Sequence, residues 1–106
     1  MNTVLKISAI AVCAIAMSVA SAEEPAAAVY KAKCVMCHGA AGDASTPAGK
    51  ALKVAPFTSG AALSDSDADM ITIAKNGKGK MPAWKDKLSD AQLKDLVVYI
   101  RTLQKK

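Results

Sequence analysis

The chain has 106 residues, enough for one small domain, and carries a formal net charge of +5 from 14 Lys and Arg against 9 Asp and Glu. Hydrophobic residues make up 52% of it, but it contains only one Trp, two Tyr, one Phe and one His. So few bulky side chains exclude a large self-sufficient core, and domains of this size often need a staple or a metal. A single histidine also excludes any site that requires several.

The first 22 residues have the pattern of a secretory signal peptide. Lys6 provides the positive start, residues 7–19 the apolar run and residues 20–22 the small side chains before cleavage. The mature domain would then comprise residues 23–106. The apolar run is too short for a spanning helix, which favours export to the periplasm without an integral membrane segment over the alternative of a retained anchor.

A helix is predicted from Pro25 through an alanine-rich segment that leads directly into the residues CVMCH at 34–38. The C-x-x-C-H pattern is typical of covalent haem attachment. Two thiols three residues apart can each add to one vinyl group of the same porphyrin, and the histidine then lies under the iron. The sequence therefore predicts one haem c, with Cys34 and Cys37 as thioether anchors and His38 as an axial ligand.

Two other uses of these residues are disfavoured. A thioredoxin-type couple requires a βαβ context, which this sequence does not show. A structural zinc site needs four ligands, and the chain adds only Cys13 and no second histidine. Haem would also supply the bulk that the four aromatic residues do not, so we expect the haem-free chain to be molten or unfolded.

After the motif, the residues from Gly39 to Gly60 are rich in Gly, Ala, Pro, Ser and Thr. They predict a loop around the haem edge, with one helical turn near residues 48–53. A helix follows over residues 65–75, with Ser64 and Asp67 as its capping box and Gly77 beyond its end.

The last helix has the clearest pattern. Ser89 and Gln92 form a capping box, Leu88 and Leu93 a hydrophobic staple. An apolar stripe continues to Gln104 through Leu93, Leu96, Val97, Ile100 and Leu103. No segment alternates with the period of a half-buried strand, so the fold class is predicted to be all-α, with three to four helices and loops wrapped around the haem.

The second axial ligand can be sought among the methionines, because the only histidine is already used. Met36 lies between the two cysteines on the wrong side of the porphyrin, and Met70 falls in a helical apolar pattern typical of core packing. Met81 follows two glycines and precedes Pro82, in a segment without a helix face. The pattern favours Met81 as the ligand, with Met70 or an open site as alternatives.

The CVMCHG segment at 34–39, the later MPAW at 81–84 and the amphipathic final helix together resemble class I cytochromes c, nearest the small cytochrome c6/c553 group. The resemblance implies that the first helix crosses the last one, with Tyr30 and Tyr99 in contact and Ala26 at a position where the family has glycine. It also implies that a proline carbonyl, of Pro56 or Pro47, accepts the Nδ1 proton of His38.

Five lysines flank the Met81 segment, with only Asp86 opposing them: Lys75, Lys78, Lys80, Lys85 and Lys87. If this segment covers the haem edge, the lysines would steer a redox partner with an acidic docking surface. The alternative is a solvated segment that confers solubility. Nucleic acid is not an expected partner of an exported chain with so few aromatic residues.

The sequence thus predicts a soluble periplasmic monomer that shuttles one electron and is not itself an enzyme. Two alternatives stay open: a haem subunit of a dehydrogenase or oxidase complex, and a haem enzyme or gas-binding protein in which Met81 is displaced.

Overall fold

The computed structural model describes residues 24–105, so the signal peptide predicted over residues 1–22 lies outside the described residues. Six helices follow one another: α1 (Ala26–Lys33), α2 (Val35–His38), α3 (Pro47–Ala51), α4 (Gly60–Ser64), α5 (Asp67–Asn76) and α6 (Asp90–Leu103). An isolated bridge between Lys78 and Met81 is the only strand-type pairing in this part of the chain. The all-α prediction is confirmed, but residues 24–105 contain six helices where three to four were expected, because short helices form at residues 35–38, 47–51 and 60–64.

Hydroxyl side chains begin four of the helices by accepting a backbone N–H from the first turn. Thr46, Ser59, Ser66 and Ser89 cap α3, α4, α5 and α6 in this way. The predicted capping box of Ser89 and Gln92 is present, and the apolar stripe of α6 is buried.

The predicted start of the helix after the loop was wrong. Residues 60–64, between the predicted loop and that helix, form the short helix α4, which Ser59 caps. Ser64 therefore does not cap the next helix; its hydroxyl donates to the Gly60 carbonyl at 2.7 Å within α4. Ser66 takes over as the cap of α5, which starts two residues later than predicted.

The first predicted helix is divided at Cys34. This residue is the C-cap of α1 and the N-cap of α2, with φ −115° and ψ −30°. Pro25 stands at the N-cap of α1, one residue before the position expected for it. Gly39 then ends α2 with φ +79°, a left-handed value that favours glycine.

The core forms where α1 and α5 pack against α6. The rings of Tyr30 and Tyr99 lie 5.2 Å apart, which confirms the contact expected between the first and last helices. Tyr30 is buried, and its hydroxyl donates to the Gly39 carbonyl at 2.6 Å. α1 is thereby tied both to α6 and to the end of α2.

The C-terminal end of α6 fixes the loops on either side of α4. Arg101 donates to the Asp67 carboxylate at 2.8 Å and to the Asp65 carbonyl at 2.6 Å, while Gln104 donates to the Phe57 carbonyl at 2.9 Å. Within residues 24–105, no helix is long and apolar enough to span a membrane.

Candidate functional site

Two adjoining cavities lie between α2, the loop after α3, α5 and the segment that follows it. Their volumes are about 220 and 730 Å³, and their surfaces are predominantly apolar. Cys34, His38 and Met81 line both of them, and Cys37 lines the larger. The four predicted haem-site residues are therefore brought together around one apolar space.

The backbone of α2 is held against α3. The Thr46 hydroxyl donates to the Met36 carbonyl at 2.6 Å, and the Ala44 N–H donates to the His38 carbonyl at 2.8 Å. Gly49 of α3 approaches so closely that a Cβ atom there would collide with the Cys37 carbonyl. The segment that carries the two cysteines and the histidine is therefore fixed on this side.

The His38 imidazole is half-buried and lies against an aromatic ring. The Phe57 ring stacks on it with centroids 4.6 Å apart and an interplanar angle of 15°. Burial lowers the pKa of His38 because it disfavours the imidazolium form. The neutral ring keeps a nitrogen lone pair available to a metal.

The predicted proline bond to His38 is not formed. Nδ1 of His38 is buried and has no hydrogen-bond partner among the residues that the structure describes. The Pro56 carbonyl instead accepts the Ser59 N–H at 2.9 Å, and Pro47 is the first residue of α3. The carbonyl of Pro56, one of the two candidates, is thus used at the start of α4.

The two motif cysteines are free thiols, Cys34 buried and Cys37 half-buried. Burial raises the pKa of the Cys34 thiol to about 11, with Cys37 adding to the rise and Lys33 opposing it. Cys34 is thus a neutral thiol at neutral pH, unlike the nucleophilic cysteine of a thioredoxin-type couple. In the described part of the chain no three His, Cys, Asp or Glu side chains converge on one point.

Met81 is presented by a tight turn over residues 78–81. Lys78 and Met81 exchange two backbone hydrogen bonds of 3.1 and 2.9 Å, and Gly79 within the turn has φ +57°. Past the turn, the N–H of Trp84 donates to the Ala74 carbonyl at 3.0 Å. The sequence suggested an irregular segment around Met81. The structure instead shows an ordered turn that is hydrogen-bonded to the end of α5.

Met70 occupies a different position from Met81. It is buried in the main core and lines the smaller cavity only. Met81 is half-buried and lines both cavities.

Four lysines line the larger cavity, and two of them, Lys78 and Lys80, belong to the set of five that the sequence suggested. Its lining includes Lys33, Lys53, Lys78 and Lys80, and no Asp or Glu among the described residues. Lys75 is instead paired with Asp90 at 3.0 Å. Sequence reasoning missed Lys33 and Lys53 because both lie far from Met81 along the chain.

Trp84, which lines both cavities, has two lysines near its ring. The ammonium groups of Lys33 and Lys87 lie 5.6 and 5.3 Å from the ring centroid, within the range of cation–π attraction. Lys87 is thus placed by Trp84, and the positive charge near the site comes from α1 as well as from the Met81 segment.

The residues around the cavity fit a haem. Its apolar walls suit a porphyrin. A neutral imidazole and a thioether sulfur are iron ligands of the c-type cytochromes, and the two thiols stand at the sequence spacing that thioether attachment requires.

Comparison with known proteins leads to the same class. Residues 21–100 match the family described as Cytochrome C oxidase, cbb3-type, subunit III. Over 86 residues the chain is 36% identical to the Cbb3-type cytochrome c oxidase subunit CcoP of Azospirillum brasilense, covering 79% of this chain and 29% of that protein. Over 72 residues it is 35% identical to cytochrome c6 of Leptolyngbya boryana, covering 68% of this chain and 81% of that protein.

A solved structure, the KustC0563 c-type cytochrome, has the same fold, with a TM-score of 0.68 and 27% identity over 74% of this chain and 96% of that one. The chain therefore spans less than a third of the CcoP subunit but most of the cytochrome c6 and of the KustC0563 chain. The predicted resemblance is confirmed: the chain belongs to the cytochrome c family, as a class I monohaem cytochrome among electron-transfer proteins that bind haem c covalently.

Proposed function

We propose that the chain is a soluble, monomeric periplasmic carrier of single electrons, in which Cys34 and Cys37 anchor haem c and His38 and Met81 are the axial ligands. The observation that carries this proposal is the position of His38 and Met81 on the walls of the same apolar cavity. The haem, when bound, supplies the redox chemistry by alternating between ferric and ferrous iron.

Each residue has a separate task in this proposal. His38 offers a neutral nitrogen, and Met81 offers a soft sulfur that favours the ferrous state and raises the reduction potential relative to a second nitrogen. The apolar walls exclude water. With both axial positions filled, no substrate reaches the iron, and the chain performs no bond chemistry of its own.

The one arginine of the chain, a residue type that could serve a haem enzyme, is committed elsewhere. Arg101 donates three hydrogen bonds, to Asp67, Asp65 and Gln104. The chain has no second histidine. These facts favour a carrier over a catalytic or gas-binding haem protein.

The first test is a set of optical spectra of the periplasmically expressed protein, ferric and ferrous, with and without carbon monoxide, followed through a potentiometric titration. We expect a low-spin haem of high potential that does not bind carbon monoxide. A high-spin or readily ligated iron would overturn the proposed ligation.

The ligand assignment is tested by two methionine variants. Met81→Ala should abolish the methionine–iron absorption band at the red edge of the ferric spectrum. Met70→Leu, which conserves volume in the core, should keep the band and cost less than about 1.5 kcal/mol of stability. A band that survives Met81→Ala and disappears in Met70→Leu would identify Met70 as the ligand.

The proposed partner is a redox protein with an acidic docking surface. Four lysines and no acidic residue line the larger cavity in the described part of the chain, and Met36, 77% exposed, adds an apolar contact at its mouth. Such a surface attracts anions over roughly a Debye length, about 10 Å at 0.1 M salt.

Small redox probes can test this surface without knowledge of the partner. Replacing Lys53, Lys78 and Lys80 by Glu should slow oxidation by ferricyanide, an anion, and accelerate oxidation by the cationic tris(phenanthroline)cobalt(III), both effects weakening as salt is added. A control with Lys31, Lys94 and Lys105 changed to Glu has the same net charge, and none of these lysines lines the cavity. Equal rates in the two variants would contradict a docking role for the cavity mouth.

A second candidate function is that of a haem subunit in an oxidase complex. The family match and the CcoP relative favour it, although the chain spans only 29% of that subunit. Purification of the native protein distinguishes the two: a free carrier elutes alone as a monomer, whereas a subunit co-purifies with an oxidase at fixed stoichiometry.

A further inference from the structure

The predicted haem-site residues lie on two sides of the cavity that different parts of the chain provide. Cys34, Cys37 and His38 belong to α2 and its junction with α1, whereas Met81 belongs to the segment after α5. The two axial ligands can reach one iron only while the two sides keep their separation. A direct contact between the sides therefore bears on the Met81–iron bond.

The backbone of the Met81 segment is bonded to only one of these sides. Its hydrogen bonds, over residues 78–88, stay inside the segment or lead to the end of α5, as from Trp84 to Ala74. Gly77 packs closely against the turn, since a Cβ there would lie 2.6 Å from the carbonyl oxygen of Met81. In the described part of the chain, no backbone hydrogen bond joins the segment to α1 or α2.

A side-chain contact joins the two sides instead. Trp84 lies three residues after Met81, and the ammonium group of Lys33 lies 5.6 Å from the centroid of its ring. Lys33 is the last residue of α1 and precedes Cys34. Both ion pairs within residues 24–105 use other cations. Lys33 is also half-buried, and cation–π attraction grows as the cation loses solvent.

Lys87 provides a comparison within the same molecule. Its ammonium group lies 5.3 Å from the centroid of the Trp84 ring, but this lysine is exposed and follows the tryptophan by three residues. Its N–H donates to the Trp84 carbonyl at 2.9 Å, so the contact is local. Two lysines thus attract one indole ring, and of these two only Lys33 reaches it from the side of the haem-attachment motif.

We propose that Lys33 and Trp84 are positioning residues for Met81: their cation–π contact ties the Met81 segment to α1 across the haem cavity and opposes release of the methionine from iron. This inference rests on the proposed role of Met81 as an axial ligand. The energy of a cation–π contact changes an equilibrium by about two- to tenfold at a half-buried site.

Competition of free imidazole with Met81 tests the contact in the haem-loaded ferric protein. At about pH 8 imidazole is mostly neutral, as methionine is, so their exchange changes no charge at the iron. Lys33→Met should lower the imidazole concentration for half-displacement by about two- to tenfold. Lys33→Arg, which restores a cation, should keep the wild-type value. Lys87→Met is the matched control, because it loses the same charge and a contact with the same ring without parting the two sides.

An unchanged imidazole affinity in Lys33→Met, or an equal change in Lys87→Met, would overturn the inference. A double-mutant cycle adds a second requirement: in a Trp84→Leu background, Lys33→Met should have no further effect. If the lysine substitution has its full effect without the indole ring, the two residues do not act together and the inference is wrong.

One measurement on the wild type does not depend on any variant folding. Nuclear Overhauser cross-peaks between side-chain protons of Lys33 and ring protons of Trp84 are expected in the ferrous protein, and their absence would contradict the contact. A wild-type ferric protein without the methionine–iron band would instead overturn the proposed ligation by Met81, so the two failures are distinguishable.

Discussion

Gly49 offers the sharpest test of how α3 holds the haem-binding segment. A methyl group added at this position would collide with the Cys37 carbonyl, lie 2.7 Å from the Ala44 carbonyl and lie 3.0 Å from the Thr46 hydroxyl. Two of these three atoms belong to the backbone and cannot rotate away. Gly49→Ala should therefore force α3 and α2 apart.

The magnitude follows from two opposing effects. Overpacking in a tight contact costs about 1–3 kcal/mol, and two backbone obstacles place Gly49→Ala at the upper end. Alanine recovers up to about 1 kcal/mol of helix propensity over glycine. The net loss is about 2 kcal/mol, which for a domain of this size lowers the melting temperature by about 8–16 °C.

Gly60 provides a matched control within the same fold. It is also a helical glycine, at the start of α4, and an added Cβ would meet nothing within 4 Å. Gly60→Ala should therefore leave stability unchanged or raise it by about 0.5 kcal/mol. Urea unfolding of the haem-loaded variants, followed by far-UV circular dichroism, measures both. If Gly49→Ala unfolds at the same urea concentration as Gly60→Ala, the close approach of α3 to Cys37 does not exist.

Three further outcomes are expected. Tyr30→Phe should cost about 1–3 kcal/mol, because the buried Gly39 carbonyl loses its 2.6 Å bond while the ring packing stays; wild-type stability would contradict the importance of that bond. Ser66→Ala should cost about 1 kcal/mol by removing the cap of α5, whereas Ser64→Ala should remain within about 0.5 kcal/mol of wild type; thermal unfolding of both decides which serine is the cap. The chain with both Cys34 and Cys37 changed to Ser should keep helical far-UV dichroism, lose its near-UV signal and bind a hydrophobic dye, and a retained near-UV signal would show that the core forms without attached haem.

Local signals made part of this structure predictable. The C-x-x-C-H motif, the capping box at Ser89 and Gln92 and the apolar stripe of α6 each depend on spacing within one or two helical turns. They identified the family and the last helix. Two glycines and Pro82 also pointed to Met81, which lines both cavities, while its role as a ligand stays a prediction.

The remaining features depend on contacts between distant parts of the chain. The stack of Phe57 on His38 joins residues 19 positions apart, and its support from Gln104 joins residues 47 positions apart. Lys33 and Lys53 reach the cavity mouth from the neighbourhood of α1 and α3. No pattern within a short stretch of sequence predicts such contacts. The resemblance also gave a wrong expectation for Pro56, whose carbonyl accepts a hydrogen bond from Ser59 at the start of α4.

The two walls of the cavity are held by different means, and this difference matters to function. The His38 wall is fixed by Thr46, Ala44, Phe57 and, through Gly39, by Tyr30 of the buried core. The Met81 wall depends on the turn at residues 78–81 and on two backbone bonds, from Trp84 to Ala74 and from Lys85 to Lys75.

Regions with few buried contacts open before the core does, so the Met81 wall should open first and leave His38 in place. An electron carrier and a gas-binding protein would then be two states of one fold, separated by the free energy of opening this turn. Carbon monoxide binding to the ferrous protein in low urea, below the global transition, measures that free energy directly. A single transition common to carbon monoxide binding and far-UV dichroism would show instead that both walls open together.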